Sequence, residues 1–312
     1  MSRAFRFLVG ARDRLYQSGI LQTYRLSHPV ISVGNLTVGG TGKTPLVILL
    51  AERLRDEGYR PVVLSRGYKR KTAGTVVVST GSGPEVGWEE AGDEPYLIAQ
   101  RVRNVSVVVG ADRYTSGVLA QQKNLGDLFI LDDGFQHRRL FRNVDLVTID
   151  PIEWLAGEQL FPYGRWREPK EAISRADAAI VQDWQTVLPE LPIPSFTIQT
   201  RIDGIYKGGE PVPSSQLKNH AITAFAGIAK PDRFFNSLEH LGIGLKAKVK
   251  FRDHHHYTQR DIDALPGEVR ITTEKDAVRL ETLAAGEVLH LRISANIPEF
   301  DRLLELIRSR LL

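Results

Sequence analysis

The sequence predicts an α/β fold, a mainly parallel sheet flanked by helices, with a second, smaller α/β domain joined to it by a β-hairpin linker. Three observations lead there. Short apolar runs alternate with helical patterns along most of the 312 residues, more chain than one core comfortably takes. A buried-looking strand, a glycine-rich turn and a helix follow one another across 30–51. Near 201–220 the texture changes, and Lys207-Gly208-Gly209-Glu210-Pro211 reads as a hairpin before strands and helices resume. The expected boundaries are 1–28 for a basic amphipathic helix, 29–200 for the first domain, 201–220 for the linker and 221–312 for the smaller domain.

Composition narrows the class. Hydrophobic residues make up 42% and charged residues 25%, ordinary for a globular chain. A net charge of +4 and a pI near 9.2 favour anionic partners, among which nucleotide, phosphorylated lipid, anionic membrane and nucleic acid all qualify. The chain has no cysteine, which excludes disulfides and thiolate metal sites. The basic start lacks the apolar core and cleavage site of a signal peptide, and no apolar run approaches the ~18 residues of a membrane span. A cytoplasmic protein is expected.

Residues 1–28 carry Arg3, Arg6, Arg12, Arg14 and Arg25 against a single acid, Asp13. Phe5, Leu8, Val9, Leu15, Tyr16 and Ile20 fall at helical spacing, with Arg12 interrupting the stripe. Such a helix suits a membrane interface, and equally a seat on its own domain with a solvated basic face. A short buried strand opening at Val30 then runs into Thr37, Val38, Gly39, Gly40, Thr41, Gly42, Lys43 and Thr44, and a helix follows. Backbone N–H groups of such a turn converge on phosphate oxygens, aided by the positive end of the helix. Lys43 is expected on the outer phosphates and the Thr44 hydroxyl on Mg²⁺. Thr37 stands where G-x-x-x-x-G-K-[ST] has its first glycine. The first domain is accordingly expected to be a P-loop NTPase-like parallel sheet.

The second strand, 60–65, ends in Arg66, Lys69, Arg70 and Lys71, where α/β sheets place ligands and where solvated basic loops also occur. Asp93, with Pro95 just inside a helix start, reads as an N-cap. Strand 127–131 ends in Asp132 and Asp133; after a Gly-Lys-Thr turn, acid at the tip of a parallel strand reads as the magnesium-holding half of a phosphoryl-transfer site. Asp145–Asp150 repeats that pattern and is the runner-up. Arg165, Arg167 and Glu168 lie in a proline-bracketed loop suited to clamping phosphate or to a surface ion pair. Strands near 178–182 and 195–200 complete the first domain. In the smaller one, strands 221–226, 245–251, 269–273 and 288–293 alternate with helices, the last covering 297–311. His254, His255 and His256 adjoin Asp253; neighbouring side chains on extended chain face apart, so an acid–base role suits Asp253-His254 better than zinc. Thr273 and Asp276 read as a helix start rather than a guanine-reading motif.

The loop 33–44, Ser65-Arg66-Gly67-Tyr68, Gly92-Asp93-Glu94-Pro95, Asp132 to His137, Arg167-Glu168-Pro169, Asp253-His254-His255 and Thr273 to Asp276 together resemble the tetraacyldisaccharide 4'-kinase family, in matching order from about residue 10 to 280. The resemblance implies ATP and Mg²⁺, and phosphate transfer to the 4'-hydroxyl of a tetraacylated glucosamine disaccharide 1-phosphate in lipid A synthesis. It also implies a peripheral position on the cytoplasmic face of the inner membrane, an anionic surface met partly through the N-terminal helix, with nucleic acid no longer a partner and a monomer compatible with the reaction. Lys43 would hold the transferring phosphate, Thr44 and Asp132 the metal, and Asp133 the metal or substrate neighbourhood. Arg66, Arg113, Arg167 and Glu168 would be supporting residues. Asp93 would accept the sugar hydroxyl's proton, oriented by His254, with His255 the alternative because the adjacent letters leave the register open. Two rivals remain at this stage: a nucleotide-dependent switch or assembly ATPase, and a kinase of a soluble metabolite.

Overall fold

The computed structural model of the chain describes residues 2–183, 190–283 and 288–311. The chain divides into two compact units, Met1–Gln199 with Ala295–Leu312, and Thr200–Ser294.

The first unit runs α1 (Ser2–Gln17), β1 (Val30–Asn35), α2 (Lys43–Asp56), β2 (Pro61–Ser65), β3 (Val76–Ser79), α3 (Trp88–Ala91), α4 (Asp93–Arg101), β4 (Ser106–Val109), α5 (Arg113–Gln122), β5 (Leu128–Asp132), β6 (Val144–Ile149), α6 (Pro151–Leu155), β7 (Ala178–Gln182) and the start of β8 (Ser195–Lys207). Its strand order is β8-β7-β6-β1-β5-β2-β4-β3, parallel except for β3, which pairs antiparallel with β4 at the edge. Strands β1, β2, β4, β5, β6 and β7 are buried at every residue, which is why they read as unbroken apolar runs rather than as alternation. Successive side chains still take opposite faces. Ile31, Val33, Val63 and Ile130 pack with Leu46, Leu50 and Leu54 of α2 and Ile98 of α4. Val30, Val62, Leu64, Phe129 and Leu131 pack with Ala120 of α5.

The second unit contains the rest of β8, then β9 (Glu210–Val212), β10 (Ile222–Ala226), α7 (Pro231–His240), β11 (Leu245–Lys250), α8 (Gln259–Asp263), β12 (Val269–Thr273), α9 (Glu274–Val278) and most of β13 (Val288–Asn296). The order is β11-β10-β12-β13-β8, with β10 between β11 and β12 and parallel to both. The expected hairpin is β8 turning into β9, with Ile205 opposite Val212 and Lys207 opposite Glu210. Phe235 and Leu238 of α7 close its core over Ala224, Ile271 and Leu289.

One boundary differs from the expected 221–312. The final helix, α10 (Phe300–Leu311), belongs to the first unit: Phe300, Leu303, Leu304 and Ile307 lie in the same cluster as Leu46 and Leu54. An amphipathic stripe announces that a helix has an apolar face, but not which core receives it.

Candidate active site

β1 lies between β5 and β6, all three parallel, so their C-terminal ends share one edge, with Val33 level with Asp132. That is where open α/β sheets bind ligands. The glycine-rich loop leaves β1 here and enters α2 through Gly42, whose φ of +78° suits glycine and almost no other residue. Buried side chains hold the loop in shape. Asn35 Nδ2 donates to Thr41 Oγ1 at 3.0 Å, Thr41 and Thr148 hydroxyls meet at 2.8 Å, and Gln182 Nε2 donates to Thr41 O at 3.0 Å. Thr37 Oγ1 donates to Glu153 Oε2 at 2.9 Å, so the residue replacing the usual glycine ties the loop to α6. A second clasp comes from the 165–167 segment: Val38 N donates to Arg165 O and Arg167 N to Leu36 O, both at 2.7 Å. Gly39 and Gly40 complete the turn, and Lys43 and Thr44 open α2.

The acids at the tip of β5 face this loop. Asp132 is 2% exposed and accepts a hydrogen bond from Ser65 Oγ at 2.9 Å. Burial first, then the like charges of Glu94 and Asp133, push its carboxyl up to about 7. Asp133 adopts a left-handed φ of +54°, and its oxygens receive Arg167 Nη1 at 2.8 Å, with Lys43 Nζ at 3.4 Å. Burial works to raise Asp133, but Lys43 and Arg167 outweigh it and hold the carboxyl at about 2. Arg113 is buried, which lowers its pKa; it donates to Ala111 O at 2.8 Å and Asp133 O at 3.4 Å, and its Nε makes no hydrogen bond among the described residues. Arg66 is close enough for its charge to act on Arg113.

This donor set fits a magnesium–triphosphate. Carboxylate and hydroxyl oxygens from Asp132 and Thr44 are the hard ligands Mg²⁺ takes. A cation there would relieve the crowding of negative charge that raises Asp132. Lys43, Arg113 and Arg167 offer the opposite charge to phosphate oxygens.

Several expectations change on inspection. Asp93 is not the N-cap of its helix: Gly92, at φ +91°, takes that position and Asp93 is the first helical residue, 5% exposed, its Oδ1 accepting from Glu94 N at 2.9 Å. Glu94 acts electrostatically on Asp132, which puts the start of α4 beside the acids. The runner-up acids do other work. Asp145 lies near the start of β6, paired with Arg142 at 2.8 Å, and Asp150 caps α6 by accepting from Ile152 N at 3.0 Å. Of the basic loop, Lys71 pairs with Glu89. Glu168 sits apart from its neighbour Arg167: it is fully buried, with Arg12 Nη2 2.9 Å from Oε1 and Arg175 Nη2 2.6 Å from Oε2.

Glu168 thereby anchors α1. Asp13 adds ion pairs to Arg138 at 2.9 Å and Arg175 at 3.0 Å, and Arg6 one to Glu171 at 2.9 Å. The helix docks through Arg12, Asp13 and Val9, while Phe7, Leu8, Leu15 and Ile20 are exposed. Arg12, which interrupts the apolar stripe, is one of the residues that seat the helix. Among the described residues no helix is long and apolar enough to cross a membrane.

In the second unit His254 and His255 part ways. His255 Nε2 lies 3.3 Å from Asp261 Oδ2 and its ring stacks on Phe251 at 4.7 Å between centroids. His254 turns the chain at φ +57°, and its side chain is largely buried. Among the described residues no group of three or more acids and histidines is arranged to hold a metal. The sequence reading missed Ser65 as a partner of Asp132, Glu94 as a charge beside it, and Asn35, Thr148 and Gln182 as supports of the loop. Only the position of Ser65 at a strand's C-terminal end hinted at any of them.

Comparison with known proteins identifies the family. The profile of tetraacyldisaccharide-1-P 4'-kinase matches residues 1–312. The chain belongs to that family. It is 40% identical over 304 residues to the tetraacyldisaccharide 4'-kinase of Aquifex aeolicus (strain VF5), covering 96% of this chain and 94% of that one. With the Geobacter metallireducens protein of the same name it shares 41% over 295 residues, covering 90% and 87%. A crystal structure of LpxK from Aquifex aeolicus in complex with ATP superposes with a TM-score of 0.86 at 38% identity, covering 100% of this chain and 97% of that one. The expected α/β fold, kinase activity and use of ATP with Mg²⁺ are those of this family.

Proposed function

We propose that this kinase moves the γ-phosphate of ATP to the 4'-hydroxyl of a tetraacylated glucosamine disaccharide 1-phosphate, with Asp93 accepting the hydroxyl's proton. The observation that carries the reading is the single cluster of Lys43, Asp132, Asp133, Arg113 and Arg167 at the C-terminal edge of β1 and β5, with the start of α4 beside it. Phosphoryl transfer asks a protein mostly for positioning and charge stabilisation. Lys43 holds the transferring phosphate, while Arg167 and Lys43 keep Asp133 ionised and fixed. Thr44 and Asp132 would hold Mg²⁺, which when bound neutralises phosphate charge. Arg113 and Arg66 add positive charge on the phosphate side, and Glu168 acts at a remove, by seating α1 against the loop that bears Arg167. Buried at the first turn of α4, Asp93 has little freedom to move, which suits a group that must meet a hydroxyl in one orientation.

His254 is the histidine that this reading assigns to the reaction. His255 is engaged by Asp261 and Phe251, which supports His254 over its neighbour. The enzyme works as a peripheral protein on the cytoplasmic face of the inner membrane. Exposed Phe7, Leu8, Leu15 and Ile20, beside Arg14, suit an anionic lipid surface and favour a lipid over a soluble metabolite.

Transfer from labelled ATP to a purified lipid A precursor tests the function. Asp93→Ala should abolish transfer while ATP still binds; near-normal turnover would return Asp93 to a structural role. ATP hydrolysis stimulated only by a protein partner, without the disaccharide, would favour a switch ATPase.

A further inference from the structure

Thr273-Glu274-Lys275-Asp276 has no part in the reaction as described, yet it ends in one of the most enclosed ionic clusters of the molecule. Asp276 and Arg279 are 0% and 2% exposed. Asp276 accepts hydrogen bonds from Tyr257 Oη at 2.8 Å, from Gly227 N at 3.1 Å and from Thr273 Oγ1 at 2.6 Å, and it pairs with Arg279 Nη2. Arg279 also donates to the backbone of two neighbouring segments: Nη2 to Gly227 O at 3.0 Å and Nη1 to His255 O at 3.1 Å. Gly227 O in turn accepts from His254 N at 2.9 Å. Both peptide ends of the histidine turn are therefore tied, through Gly227 and Arg279, to one buried carboxylate.

The turn needs that support. His254 has a φ of +57°, a conformation costly for a residue with a side chain unless its surroundings hold it. Gly227 has no room for a side chain: a Cβ would lie 2.9 Å from Tyr257 Oη, 3.1 Å from Arg252 O and 3.2 Å from an Asp276 oxygen. Tyr257 is fixed from the other side by edge-on contacts with Phe225 and Phe251, centroids 5.6 and 5.1 Å away. A cap for a five-residue helix would need only Thr273. A planar guanidinium gripping a carboxylate and two carbonyls defines the orientation of a loop.

We propose that Asp276, Arg279 and Tyr257 form a positioning unit for His254, fixing the backbone of the histidine turn so that the imidazole is held in one orientation. The inference rests on the assignment of His254 to the reaction. None of the three touches substrate. They act on the rate through the turn.

A double-mutant cycle tests this in the full-length enzyme, with kcat for the acylated disaccharide and KM for ATP measured for Arg279→Lys, Tyr257→Phe and each combined with His254→Ala. Tyr257→Phe keeps the ring packing, so a folded variant is available if Arg279→Lys is not stable; thermal unfolding reports which is folded. Each single variant should lower kcat by about 10-fold, with KM for ATP within about twofold of the parent. In the His254→Ala background the same changes should have almost no further effect on kcat. Effects that multiply with His254→Ala, or an unchanged kcat in both folded variants, would overturn the positioning role alone. An unchanged kcat in His254→Ala itself would remove the assignment of that histidine, and this inference with it.

Discussion

The two units each hold a cluster of arginine and aspartate next to a glycine turn, and the clusters are in opposite electrostatic condition. Around Asp276 the charges are matched within the unit: Arg279, Tyr257, Thr273 and Gly227 all donate to one carboxylate or to nearby carbonyls. Around Asp132 the charges are crowded and unbalanced. One carboxyl is driven up to about 7, its neighbour is held at about 2, and a buried arginine beside them has its pKa lowered. A buried network that pairs its charges internally serves as scaffold, whereas one whose charges are crowded is arranged for something that arrives. The same residue types thus mean support in one place and chemistry in the other, and the difference lies in who completes them.

Substitutions can break that contrast. The largest stability effect should come from Asp276→Ala, which removes the buried counter-charge that Arg279 grips and should cost about 3–5 kcal/mol, read by denaturant unfolding. A loss below about 1 kcal/mol would mean the cluster is less enclosed than its contacts indicate. Lys43→Ala should do the reverse. Transfer should fall by about 10³-fold and ATP binding with it, while the unfolding midpoint barely moves. A large drop in stability would make the Lys43–Asp133 contact scaffold rather than machinery.

A smaller effect should appear with pH. Burial first, then the charge of Arg113, lowers His137 to about 4. The folded state binds this proton less readily than the unfolded chain, so stability is full above about 6.5 and falls as pH drops from there toward about 4. Discounted for partial solvent access, the loss should be about 2 kcal/mol, and His137→Gln should flatten that part of the stability–pH profile. An unaltered profile would show that neither burial nor the arginines around it disfavour the charged form of His137.

Much of the fold was legible because its causes are local. Parallel strands buried on both faces must be apolar throughout, and Val30–Asn35 and Leu128–Asp132 announce themselves that way. Gly42 before Lys43 marks a loop that only glycine can turn, and Thr258 with Asp261 forms the capping box its spacing suggests. The destination of α10 was not legible, since its apolar stripe would suit either core. The partners of Glu168 were hidden for a related reason. Adjacent to Arg167 in sequence, it turns to Arg12 and Arg175, and no local pattern reports a partner 156 residues away.

By itself the sequence determined the alternation of strand and helix, the phosphate-binding turn, the acids at the tip of β5 and the family to which they belong, because each depends on residues close together in the chain. Tertiary structure alone decided which acid is crowded and which is held down, that Gly92 rather than Asp93 caps α4, and that Asp276 grips the histidine turn. Burial and charge act across space, and the residues that set them for Asp132, Asp133 and Asp276 come from separate strands, helices and loops.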